Sequence, residues 1–145
     1  MKILELKTIK RLLGNYGERV ACRYLKRNGY RIEKRNFVGD SHEIDIIASD
    51  KETMLFVEVK TRTLGKENPN EPRPASSVTP KKQRAIISAA KMYSAFNPTS
   101  KKKRFDVIEV YVASNCKRKH VAEIKHLINT FNVNTAFSNR KDYSK

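Results

Sequence analysis

The sequence predicts an α/β domain, a mixed β-sheet flanked by helices. Three observations predict it. A helical apolar stripe opens the chain, three closely spaced strand-like segments follow, and a second helical stripe separates these from a fourth strand. Strands joined by short turns pair antiparallel, whereas a strand reached through a helix is expected to lie parallel to one of them. Such an order builds a mixed sheet with helices on its faces.

Between residues 8 and 28, Leu13, Tyr16, Val20 and Tyr24 recur at helical intervals, and Ala21 and Leu25 widen the stripe. Gly29 supplies the stop. Gly14 and Gly17 each cost about 1 kcal/mol in a helix interior. Either the helix therefore begins near Asn15, or another backbone passes close to these glycines. YRIEKRNFV (30–38) alternates, Gly39-Asp40-Ser41 turns, and HEIDIIA (42–48) is apolar and β-branched around two acids. Ser49-Asp50-Lys51 then turns into MLFVEVKTR (54–62), completing an expected antiparallel meander.

TLGKENPNEPRPASSV (63–78) carries three prolines and no periodicity, which predicts a mobile loop. Thr79 and Pro80 suit the N-cap and first residue of a second helix. Its buried stripe is Ile86, Ala89, Ala90 and Tyr93, and it ends before Asn97-Pro98. FDVIEVYVA (105–113) is the fourth strand, and VAEIKHLINTF (121–131) reads as a short last helix. Residues 1–131 thus form one domain in the order α-β-β-β-α-β-α, and the basic polar tail 132–145 is expected to fray.

Lys and Arg number 31 against 15 acidic residues, for a net charge of +16 over 145 residues. That excess points to a polyanionic partner, nucleic acid before an acidic membrane surface, and DNA before RNA. No apolar run is long enough to span a bilayer, and no export signal follows the N-terminus, so a cytoplasmic location is expected. Cys22 and Cys116 lack CxxC spacing and read as reduced thiols. His42, His120 and His126 lack ligand spacing with one another or with the cysteines, and read as surface or turn residues.

The candidate chemistry sits in the second and third strands. Glu58 and Lys60 interrupt an apolar strand on one face, where removing each ion from water costs several kcal/mol. In HEIDIIA, Glu43 and Asp45 are expected to share one face, with Ile44 and Ile46 on the other. Asp45 then neighbours Glu58, and two such carboxylates repel unless a proton or a cation lies between them. Mg²⁺ or Mn²⁺ suits hard oxygen ligands of this kind, with Lys60 placed to stabilise an attacked phosphate or to hold the attacking hydroxide. A buried salt-bridge cluster is the structural alternative.

Glu18 is a candidate third acid, at the edge of the first helix's stripe, and equally fits a capping box begun by Asn15. Lys81, Lys82 and Arg84 oppose the dipole at the start of the second helix, a placement that suits phosphate contact as well as a solvated face. Gln83 among them could hydrogen-bond a phosphate or a metal-bound water, and Arg62 and Arg104 extend the candidate nucleic-acid contacts.

GNYGE (14–18), NGY (28–30), EID (43–45), FVEVKTR (56–62), TPKKQR (79–84) and RFDV (104–107) together resemble the YraN-like family of uncharacterised bacterial proteins. The resemblance runs from about Gly14 to Phe131. That family is similar to the restriction-endonuclease-like PD-(D/E)xK nucleases, closest in style to archaeal Holliday junction resolvases. The resemblance implies an αβββαβ core and a homodimer. By motif it assigns Glu18, Asp45, Glu58 and Lys60 to metal binding and water activation, and likens Gln83 to a glutamine that some branches add. His42 departs from the glycine usual before EID. The implied function is a metal-dependent endonuclease acting on DNA, with branched and damaged DNA among the candidate substrates; a nucleic-acid-binding protein that keeps the fold without turnover, on DNA or structured RNA, is the alternative.

Overall fold

A computed structural model describes residues 2–65, 78–115 and 118–138. Its elements are α1 (Ile3–Arg27), β1 (Arg31–Val38), β2 (Glu43–Ser49), β3 (Thr53–Thr63), α2 (Pro80–Phe96), β4 (Lys102–Asn115), β5 (Arg118–Phe131) and α3 (Val133–Phe137). The strands form one five-stranded sheet in the order β1-β2-β3-β4-β5. β1, β2 and β3 are antiparallel neighbours, β4 returns parallel to β3 after the α2 crossover, and β5 is antiparallel to β4. The mixed α/β fold expected from the sequence is the fold observed.

The core divides between the two sheet faces. Ala21 and Leu25 of α1 pack with Ile46, Ala48, Leu55, Val57, Ile108 and Val110. On the opposite face Ile86, Ala89, Ala90 and Tyr93 of α2 pack with Ile47, Met54, Phe56, Phe105 and Val107. Alternation along β3 assigns its sides: Leu55 and Val57 face α1, and Met54 and Phe56 face α2. Among the described residues no helix is long and apolar enough to cross a membrane.

Several expectations are corrected. α1 begins at Ile3, far upstream of Asn15, so Asn15 is not an N-cap and Glu18 has no capping box to serve. Gly17 has the other role foreseen: a Cβ there would lie 1.8 Å from Thr61 Oγ1 of β3, so only glycine permits this approach. VAEIKHLINTF is not a helix but most of β5. Val121 and Ile124 lie on the same face although three residues apart, because the β4 pairing jumps from Val121 to Glu123 and leaves Ala122 as an extra residue. A bulged strand thus imitated the helical period. Residues 133–137, expected to fray, form α3 instead, capped by Asn132 and anchored by buried Ala136. Residues 66–77, most of the expected mobile loop, and Cys116 lie outside the described residues; Cys22 is a buried free thiol.

Candidate active site

The site forms where β2 and β3 part. Their ladder covers only Ile46–Ser49 against Met54–Val57. Beyond Val57, β3 pairs with β4 alone among the described residues, and no described strand covers its other edge. Asp45 enters this gap, and its Oδ2 accepts a hydrogen bond from the Val59 N–H at 2.8 Å. The parting also twists β2. Ile44 packs on the α2 side and Ile46 on the α1 side, so these two residues do not share a face as expected. The twist coincides with Asn36 on β1, which takes a left-handed φ of 52° between the Arg35–Ile46 and Phe37–Ile44 pairs.

Glu58 continues the α2-facing side of β3 and is 7% exposed. Its Oε1 receives two ammonium groups, Lys82 Nζ at 2.8 Å and Lys60 Nζ at 3.3 Å. Its Oε2 faces His42 Nε2 at 3.7 Å. Lys82 lies in the first turn of α2, where a cation opposes the helix dipole; the ion pair with buried Glu58 offsets that cost. Burial and the neighbouring Lys82 push the Lys60 ammonium below its usual range, against the pull of Glu58. Burial also works to lower Lys82, but its bonds to Glu58 and Lys60 hold it above the usual range. The arrangement holds the charge on Lys82 more firmly than that on Lys60.

The acids form a row. Asp45 lies between Glu18 and Glu58, close enough for each to bear on its carboxyl. Burial, and then the charge of Glu58, raise the Asp45 carboxyl to about 8. Burial likewise raises Glu18, with Glu43 adding to the shift and Arg35, 3.9 Å away, opposing it. Reversing the side-chain amide of Asn36 lets its nitrogen donate to Glu18 Oε2 at 3.0 Å and Glu43 Oε1 at 2.7 Å. A proton on Asp45 thus relieves the repulsion within the row. Among the described residues, no three His, Cys, Asp or Glu side chains already converge in a ligating arrangement. The donor chemistry nonetheless fits a hard cation, since buried carboxyl oxygens crowd here at a cost that a proton now offsets.

The other residues singled out in the sequence are distributed differently. Gln83 Nε2 donates to the Val78 carbonyl at 2.9 Å, tying down the entry to α2. Arg84 Nη1 donates to the Ala136 carbonyl at 3.1 Å, joining α2 to α3. The Arg104 guanidinium forks onto fully buried Asp106, at 2.9 Å from each carboxylate oxygen, and reaches Tyr30. Lys81 is exposed beside the site, and Arg62 is half-buried further along β3.

His126 departs from its expected surface or turn placement, and His42 keeps its place at the turn but faces inward. His126 is half-buried with its ring turned inward, Nε2 2.7 Å from Asp106 Oδ2 and Nδ1 3.2 Å from the Tyr24 hydroxyl. His42 lies against Glu58, and its Nε2 is shut from solvent without a hydrogen-bond partner among the described residues. A signal for His42 was available, since it has the strand parity of Ile44, which packs on the α2 side. Glu109 was also missed. It is 4% exposed, registers opposite Lys60 and accepts from the Tyr111 hydroxyl. Like Glu58, it is an acid interrupting an apolar strand.

Comparison with known proteins places these residues in a family. A UPF0102 protein of Chlorobium phaeobacteroides is 49% identical over 105 residues, covering 71% of this chain and 79% of the relative. One from Caldanaerobacter subterraneus subsp. tengcongensis is 38% identical over 126 residues, covering 86% and 98%. One from Geobacter metallireducens is 40% identical over 122 residues, covering 83% and 93%. The profile of the uncharacterised protein family UPF0102 matches residues 17–110, from the glycine that admits Thr61 to the middle of β4, and the chain belongs to that family.

Proposed function

We propose that the protein is a metal-dependent endonuclease that hydrolyses phosphodiester bonds in DNA, with branched and damaged DNA among the candidate substrates. The observation that carries this reading is the meeting of Glu18, Asp45, Glu58 and Lys60, from three separate elements, at the open edge of β3. In this reading Glu18, Asp45 and Glu58 hold one or two Mg²⁺ or Mn²⁺ ions. The metal supplies charge neutralisation at the phosphate and a bound water of lowered pKa. Lys60, at the same carboxylate, is placed to stabilise the attacked phosphate or to hold the attacking hydroxide. Lys82 carries positive charge at the same point and Lys81 presents another beside it, both suited to the phosphate backbone. The +16 charge favours a nucleic acid over a small phosphoester.

One observation favours a second reading. Glu58 is already neutralised by Lys82 and Lys60, so the cluster can stand as an ion-pair network in a protein that binds nucleic acid without cutting it. Incubating the protein with duplex, single-stranded and four-way-junction DNA, and with structured RNA, separates the two. Each substrate is tested with Mg²⁺, with Mn²⁺ and with a chelator. Cleavage that needs the metal supports the nuclease. Tight binding with no cleavage under any condition supports the second reading.

A further inference from the structure

We propose that His42 makes this site selective for a divalent ion that accepts nitrogen, such as Mn²⁺ or Co²⁺, over Mg²⁺, by supplying an imidazole ligand beside Glu58. The inference rests on the reading of the acid row as a metal site and adds to it a ligand of a different kind.

The first ground is an orphaned atom. His42 Nε2 is excluded from solvent and has no hydrogen-bond partner among the described residues. Leaving a buried polar atom unsatisfied is costly, and the exceptions in folded proteins call for a partner of some kind. Glu58 Oε2, at 3.7 Å, is too distant to hydrogen-bond but is well placed to share an ion. Two donors each about 2.1 Å from one metal stand between roughly 3 and 4 Å apart.

The second ground is the partition of Glu58. Both lysine contacts fall on Oε1, whereas the imidazole faces Oε2. A cation on Oε2 therefore meets the histidine first and need not displace the lysines from the other oxygen.

The third ground is rigidity. The His42 carbonyl accepts the Gly39 N–H at 2.9 Å, closing the β1–β2 turn. The turn lies directly on α2, where a Cβ at Gly39 would come within 2.6 Å of Ala89 Cβ. Packed in this way, the turn holds the imidazole against the site. Carboxylates suit Mg²⁺ and Mn²⁺ alike, but an imidazole nitrogen favours transition metals. One such ligand among oxygens therefore shifts preference without abolishing Mg²⁺ binding.

The test uses the full chain and metal alone. Calorimetric titration with MgCl₂, MnCl₂ and CoCl₂ is run on wild type, His42→Ala, His42→Gln and Asp45→Asn. Pulsed electron paramagnetic resonance on the Mn²⁺-loaded protein then reads nitrogen coupling at the ion. We expect wild type to show nitrogen coupling that both His42 variants lose. We expect the ratio of Mn²⁺ to Mg²⁺ affinity to fall by about 10-fold or more in both variants, in line with the loss of a supporting ligand. Mn²⁺ binding that depends on Asp45 but shows no nitrogen coupling, or an unchanged ratio in both His42 variants, would overturn the role of His42 while leaving the metal site intact. Failure of wild type to bind any of the metals through Asp45 would overturn the metal site and this inference with it.

Discussion

Asp45 is the residue on which the site turns. Its carboxyl is held near 8 by burial and by Glu58, against 3.8 for an ordinary aspartate. The folded state therefore binds the proton more tightly than the unfolded state does. The resulting stability is complete below pH 3.8 and is lost as pH rises through about 8. In the absence of metal, Asp45→Asn removes this dependence. Urea unfolding in chelator at pH 5 and at pH 8.5 should show the variant gaining on wild type by roughly 1–3 kcal/mol at the higher pH. A difference that stays constant with pH would contradict the assignment. At this scale much was legible: Glu58 and Lys60 stood out as charges in an apolar strand, and Asp45 stood out beside them. His42 did not, because a lone histidine next to a turn has the composition of a surface residue. Lys82 was read as a phosphate contact, and only the fold brings its ammonium onto Glu58.

Among the elements, the contact of α1 with β3 decides whether Glu18 reaches the acid row. Gly17 and Thr61 set that distance. Gly17→Ala forces the helix away from the strand and should destabilise the protein by about 1–3 kcal/mol, as overpacking does. It should also weaken metal binding, since Glu18 is the next residue; thermal melting and metal titration check the two effects. Unchanged melting would mean that Thr61 gives way freely. The body of α1, the meander and α2 with its cap are legible because each carries its own period or turn chemistry. β5 was not, because its bulges place same-face residues three apart. The same strand brings His126 and the Asn129 N–H to Asp106, completing with Arg104 a buried network. That network holds the Asp106 carboxyl below the usual range despite its burial. Sequence alone had offered Arg104 to nucleic acid, because nothing local marks Asp106 as its partner.

For the whole molecule, the net charge of +16 governs encounter with a polyanion. DNA affinity, measured by fluorescence anisotropy between 50 and 200 mM salt, should fall by roughly 10³-fold if about six phosphates are contacted. Lys81→Ala should reduce the slope of that dependence by about one counterion. A shallow slope would show that the charge excess serves something other than backbone contact. The parallel return of β4 follows from the α2 connection, whereas the place of β5 and the depth of the gap between β2 and β3 do not. That gap depends on where a ladder stops, and no composition signals it. It is nevertheless what admits Asp45 to the edge of β3 and assembles the acids with Lys60. The most direct measurement is therefore single-turnover cleavage of a labelled four-way junction in saturating Mn²⁺ by wild type, Asp45→Asn and Lys60→Ala, with binding followed on the same samples. A nuclease centre built on these residues gives cleavage by wild type, a loss of about 100-fold or more in each variant, and little change in binding. Cleavage that persists in both variants, or is absent from a wild type that binds the junction tightly, would contradict it.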